Sequence, residues 1–256
     1  MEIGSVIGNI DVAQVVLYAF WIFFAGLIYY LRREDRREGY PLEDAVTGKM
    51  WPVGALTMAP VKRFALPEGG YAEAPNYLRE ARTLNAEPVA RFPGAPLRPV
   101  GDAMLAGVGP GAWAERKNIP DLTADGAPRI VPMRSVDDFG VVEGDPDPRG
   151  MPVVAGDGKV AGTVTELWVD TAEVLIRFLE VRLGTGEEAT QVLLPAGFAE
   201  VGRGRVSVPS ILSTQFAAVP GIAGPDRITR LEEERIMAYF GAGLLYADWR
   251  RQEPLL

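Results

Sequence analysis

The strongest constraint on this chain lies in its first forty residues. Positions 12–31 read VAQVVLYAFWIFFAGLIYYL, an uncharged run in which Gln14 alone is strongly polar. At 1.5 Å per residue, a helix over this run is about 30 Å long, the thickness of a bilayer's hydrocarbon. Eleven of its residues are Val, Leu, Ile or Phe, each favouring the bilayer centre by roughly 0.3–0.6 kcal/mol, so insertion gains a few kcal/mol. A helix apolar on every face, at one edge of a chain, has few ways to be covered by protein alone. A cleaved signal would want a basic start, a shorter apolar run and small residues before the cut. Here Glu2 and Asp11 precede the run, and Tyr29, Tyr30, Leu31, Arg32 and Arg33 end it. The run predicts one uncleaved transmembrane helix over residues 12–31.

Charge asymmetry orients that helix. No Lys or Arg precedes Arg32, and Arg32, Arg33, Arg36 and Arg37 then follow within six residues. The basic flank belongs on the cytoplasmic side, which leaves residues 1–11 outside. Tyr29 and Tyr30 suit the interfacial belt. The four arginines suit anionic lipid headgroups, although their interleaving with Glu34, Asp35 and Glu38 also fits a solvated continuation of the helix.

About 225 residues remain after the helix, enough for one or two domains with real cores. The chain has no Cys, which removes disulfides and thiolate metal sites. It also has no His, which removes the commonest general base, the usual zinc and iron ligand, and every Ser-His or Cys-His triad. A net charge of −8 argues against a nucleic-acid binder. Proton chemistry is left to carboxylates.

Residues 32–105 form an extended segment, rich in Pro, Gly and Ala from position 41 onward, with a short strand near Arg63 to Leu66. Long irregular stretches are uncommon in isolated compact domains, so a partner surface or disorder has to explain this one, and its aromatic and apolar residues favour the partner. Residues 106–256 read as a globular domain. From about Met151 the texture changes to short strands at Lys159 to Asp170, Arg177 to Leu183, Gln191 to Leu194 and Arg205 to Val208. Gly156-Asp157-Gly158 and Gly184-Thr185-Gly186 read as tight turns between them. Closely spaced short strands suggest a small barrel or strongly bent sheet. A helix is expected over about 228–246, favoured by Glu232, Glu233 and Glu234 near its start and weakened by Gly241 and Gly243.

Two motifs yield to plainer readings. Gly107-Val108-Gly109-Pro110-Gly111-Ala112 matches a dinucleotide turn in outline, yet no clear strand precedes it and Pro110 suits a loop. Asp145-Pro146-Asp147-Pro148-Arg149-Gly150 begins like a calcium loop, but Arg149 takes a ligand position and the twelfth position is Gly156 rather than Glu. A third constellation, Asp170, Glu173 and Arg177 with Glu180 beyond, bears on chemistry. If Asp170 ends one strand and Arg177 starts the next, two carboxylates and a guanidinium meet at one end of the barrel. Burial raises a carboxylate pKa and an arginine lowers it, and the two together can poise a group for proton transfer. Spacing alone favours the blander reading, an exposed turn whose ion pair is worth at most about 1 kcal/mol.

Several long motifs carry a family likeness. WIFFAGLIYYLRREDRREGYPLED, GVGPGAWAERKNIPDL, DPRGMPVVAGDG, AGTVTELWVD, RFLEV and EEERIMAYFGAGLLYA resemble the H subunit of the purple-bacterial photosynthetic reaction centre over nearly the whole chain. The fold this implies is one N-terminal transmembrane α-helix plus a mainly β cytoplasmic domain, a PRC-barrel-like antiparallel barrel over about 147–208, with a C-terminal helix. The resemblance implies a non-enzymatic subunit that caps the cytoplasmic face of the L and M subunits in the bacterial inner (intracytoplasmic, photosynthetic) membrane. There it shields the quinone sites and assists proton uptake to the secondary quinone. It implies no cofactor and no metal on this chain itself, with bacteriochlorophyll, bacteriopheophytin, quinones and a non-haem iron held in L and M. Light-harvesting antenna and a cytochrome subunit are further partners of such complexes. By motif, Glu173 matches the family's carboxylate nearest the secondary quinone, with Asp170 and Arg177 its neighbours and Glu233 a weaker candidate. Some members take up protons, and bind inhibitory divalent metal, at an Asp followed by two His. Here Thr123, Asp125 and Ala127 stand at those positions, which leaves Asp121 or Asp125 as substitute surface acids. The alternative is a membrane-tethered PRC-barrel adaptor outside photosynthesis.

Overall fold

In a computed structural model of the chain, which describes residues 5–7, 10–67, 69–76, 83–186 and 189–252, the apolar run forms α1 (Val12–Glu34). Before it, β1 (Ser5–Ile7) pairs antiparallel with β2 (Ile10–Asp11). Asp11 is the N-cap of α1: its Oδ1 accepts from the Gln14 N–H at 2.8 Å, and Gln14 Oε1 accepts from the Asp11 N–H. The run's one strongly polar residue therefore belongs to a reciprocal cap in which Asp11 and Gln14 each satisfy one amide at the helix start. No residue of α1 is buried within the chain, and the helix continues one turn past Leu31 through Arg32 and Arg33. The expected N-terminal stretch 1–11 and segment 32–105 both fall partly outside the described residues.

Two compact units make up the chain, one of residues 1–82 with 91–95, the other of residues 83–90 with 96–256. In the first, β3 (Lys62–Ala65) and β4 (Tyr71–Ala74) form a hairpin. In the second, β5 (Ala86–Pro88) pairs with β6 (Leu97–Pro99), and a seven-stranded sheet supplies the core. Its strands are β7 (Ile130–Pro132), β8 (Pro152–Ala155), β9 (Val160–Asp170), β10 (Leu175–Leu183), β11 (Thr190–Pro195), β12 (Glu200–Val201) and β13 (Val206–Val208). The order is β11-β10-β9-β8-β13-β12, with β7 also on β9; every pairing is antiparallel except the parallel β8–β13. The mainly β domain and the C-terminal helix thus match the fold class expected from sequence.

Val153, Val164, Leu167, Trp168, Phe178 and Leu194 bury almost completely within the sheet's core, and α2 (Arg230–Tyr246) adds Ile236, Tyr239 and Phe240. Phe240 meets Phe198 and Phe216 at centroid distances of 5.8 and 6.0 Å. Burying such a side chain contributes about 1.5–3 kcal/mol. Thr229 and Glu232 cap the helix reciprocally, the Glu232 N–H donating to Thr229 Oγ1 and the Thr229 N–H to Glu232 Oε2. The two glycines expected to weaken α2 instead permit its packing. A Cβ on Gly241 would lie 2.5 Å from the Pro110 carbonyl, and one on Gly243 would overlap the Ser210 carbonyl and Ile211. The Gly107–Ala112 motif is explained by the same contact: its 3-10 turn, Gly109–Gly111, seats on this small-residue stripe, with Gly111 against Ala242.

Candidate functional site

The site forms where β9 ends. Asp170 closes the strand, and its side chain caps the turn that follows: Oδ1 accepts the N–H groups of Ala172 at 3.0 Å and Glu173 at 2.9 Å. Aspartate is suited to this because its short carboxylate reaches its own backbone two and three residues on. Val174 completes the turn at φ 55° and donates its N–H to the Asp170 carbonyl. That conformation is costly for a β-branched residue. In the ladder between β9 and β10, Ile176 faces Val169 and Phe178 faces Trp168, so Arg177 is an extra, bulged residue. Bulges re-aim side chains, and Arg177 comes within 4.0 Å of Asp170.

Strand β7 supplies the group that organises this end of the sheet. Ile130 pairs with Asp170, so Arg129, one residue earlier, stands beside it. The Arg129 Nε donates to both Asp170 oxygens at 2.9 Å, its Nη2 makes a short ion pair with Glu173, and its Nη1 lies 3.5 Å from Asp121. The Arg129 carbonyl accepts from both the N–H and the hydroxyl of Thr171. From α2, Arg230 lies 3.5 Å from Asp121, while Glu234 pairs with Arg116 at 2.5 Å. These residues, with Glu233 and Met237, line one cleft of about 440 Å³.

The carboxylates differ sharply in environment. Asp170 has no exposed surface. Burial alone pushes its pKa up, but Arg129 and the two turn amides outweigh it and hold the carboxyl below its ordinary range. Arg129 is correspondingly held more firmly protonated by Asp170 and then Glu173. At Glu233 the nearby arginines do not outweigh burial. Burial is the largest influence and raises its pKa from 4.5 to about 7; Asp121 and Asp170 raise it further, while Arg177 and Arg116 oppose them. A carboxyl of this kind takes and gives a proton near neutrality. Glu173 is half exposed at the mouth.

The cleft gathers most of the residues singled out from sequence: Asp170, Glu173, Arg177, Asp121 and Glu233. Asp125 is not among them; it sits exposed on the turn closed by the Gly126 N–H to the Thr123 carbonyl. Arg129, Arg116, Arg230 and Glu234 had no signal at the level of spacing. Glu180 also lies elsewhere. It faces Glu166 across the β9–β10 ladder, accepts the Trp168 indole N–H at 3.1 Å and the Thr165 hydroxyl at 3.1 Å, and has Arg134 at 3.8 Å. Among the described residues no group of three or more acids is arranged to hold a metal.

At the other predicted site, the exit of α1, the arginines are largely engaged with backbone. Arg33 donates to the Met58 carbonyl, Arg36 to Thr57, and Arg37 to Pro60 and Ala74, while Tyr29 donates to Leu56 at 2.6 Å. Tyr30 packs under Lys62. Arg32 points out, its side chain 67% exposed and, among the described residues, paired with Asp35.

Comparison with known families gives two matches. A model described as the N-terminal region of the photosynthetic reaction centre H-chain covers residues 4–135, and a PRC-barrel domain model covers residues 140–215.

Proposed function

The chain belongs to the photosynthetic reaction centre H-chain family, and on that premise we propose that its cleft delivers protons toward the secondary quinone. The family implies association with the L and M subunits in a complex of pigments and quinones, and with α1 it fits a single-pass membrane protein. The reading places residues 1–11 in the periplasm and the barrel in the cytoplasm, as the arginines after α1 favour. There the chain caps L and M, keeps water from the quinone sites and carries out no reaction of its own. Arg32, the one outward-pointing arginine of the four, meets anionic headgroups. Antenna and a cytochrome subunit are further neighbours of such a complex.

The carrying observation is the pairing in one cleft of a half-exposed carboxylate, Glu173, with a partly buried one, Glu233, whose pKa is raised to about 7. A quinone reduced by two electrons takes two protons, and a site closed to water needs titratable groups to bring them in. Glu173 exchanges with solvent at the mouth, and Glu233 holds a proton deeper in the cleft. With no histidine available, this chemistry falls to carboxyls, of which Glu233 is tuned by burial.

The test is flash-induced electron transfer in the intact complex. Glu173→Gln is expected to slow proton-coupled reduction of the secondary quinone by tenfold or more, in the range of a lost acid–base group at about 10²-fold, and to leave primary charge separation intact. Unchanged quinone kinetics would refute the role.

A further inference from the structure

Three of the cleft's carboxylates come from different elements, and one side chain touches them all. Asp121 lies before β7, Asp170 ends β9 and Glu173 belongs to the turn beyond, yet Arg129 contacts each. We infer that Arg129 is the positioning residue of the cleft: it fixes Asp170 as a permanent countercharge and aims Glu173, so that Glu173 and Glu233 carry protons and Asp170 does not. This inference rests on the proton-delivery reading.

The geometry of Asp170 supports the division. A proton carrier needs a lone pair open to water or to a neighbour that can give up a proton. Asp170 Oδ1 is taken by Arg129 Nε and by the amides of Ala172 and Glu173, and Oδ2 by Arg129 Nε again. Neither a guanidinium nor a backbone amide releases a proton at ordinary pH. The residue has no exposed surface, so protonating it means breaking the Arg129 pair and stranding a charge. Glu173, by contrast, commits one oxygen to Arg129 and stays half exposed. Lysine would keep the charge at position 129 but lose the planar fork that reaches three partners.

The experiment uses the intact complex, with flash-induced proton uptake followed by a pH-indicator dye across pH, and thermal melting followed alongside. Glu173→Gln controls the underlying reading: unchanged uptake there sinks proton delivery whatever Arg129 does. With uptake slowed by Glu173→Gln, Asp170→Asn is expected to move the pH midpoint of uptake downward and to slow uptake less than Glu173→Gln. The neutral pair Arg129→Gln with Asp170→Asn avoids an uncompensated charge. It is expected to melt near the parent yet slow uptake about tenfold or more, since misplacing a reacting group by an ångström costs up to about 10²-fold. Arg129→Lys is expected to give a smaller slowing with an altered pH profile, and serves as the deciding variant if the double variant does not fold. Slowing by Asp170→Asn equal to that by Glu173→Gln at every pH would make Asp170 a carrier and overturn the inference. Parental rate and pH profile in the folded double variant, or in Arg129→Lys, would overturn it as well.

Discussion

Replacing Glu233 by Gln should stabilise the protein at alkaline pH and leave it nearly unchanged in acid. The carboxyl titrates at 4.5 when unfolded and at about 7 when folded. Between those values the unfolded chain binds fewer protons than the native one, so stability falls as pH rises through the window. At ~1.36 kcal/mol per pH unit the gap corresponds to at most about 3.4 kcal/mol. Partial access of water to the side chain reduces this to about 2 kcal/mol. Glu233 also lies in the first turn of α2, where a negative charge gains about 0.5 kcal/mol from the helix dipole. Glutamine forfeits that gain, so the net benefit is about 1–2 kcal/mol near pH 8 and close to zero near pH 4.5. Asp170 works in the opposite sense and a different window: its folded pKa lies below 3.8, so its stabilisation is lost only in stronger acid. Urea unfolding of the full chain in detergent, followed by tryptophan fluorescence to which the buried Trp168 contributes, gives the comparison at both pH values. Equal stability differences between parent and variant at the two pH values would refute the assignment of a raised Glu233 pKa.

Two further substitutions test the packing that places the cleft. Arg251 donates to the carbonyls of Ser210, Gly243 and Pro209 at 2.6, 2.6 and 2.8 Å, so Arg251→Ala should cost about 2–4 kcal/mol, measured as a lower urea midpoint with an unchanged slope. Gly241→Ala would gain about 1 kcal/mol from helix propensity alone, but the added methyl meets the Pro110 carbonyl at 2.5 Å; a net loss of about 1–3 kcal/mol is expected from overpacking, and a gain in melting temperature would contradict the docking of the Gly109–Gly111 turn.

Much of this architecture could be read from local sequence, because the strongest features are local. The length and polarity of residues 12–31 define α1, and the long β9 and β10 are β-rich runs set off by turn glycines. Strand β7 could not be seen so readily: three residues specify little until β9 pairs with them. The site divides along the same line. Asp170, Glu173 and Arg177 lie within eight positions and announced a turn, whereas Arg129 reaches Asp170 across 41 residues of chain through that short strand. The spacing favours an exposed turn, but Asp170 is fully buried, because Arg129 supplies the charge that makes burial tolerable. Gly241 and Gly243 read as weak helix formers, and tertiary contact reversed their meaning. Glu233 reads as one acid among three at a helix start, a pattern that gives no hint of which one burial holds protonated near neutrality.

On the proposed function, Glu233 holds a proton that moves when the quinone is reduced. The light-minus-dark infrared difference spectrum of the intact complex, in the carboxyl C=O stretching region, tests it most directly. A band is expected on secondary-quinone reduction that titrates near neutral pH and disappears in Glu233→Gln. A spectrum unchanged by that substitution would contradict it.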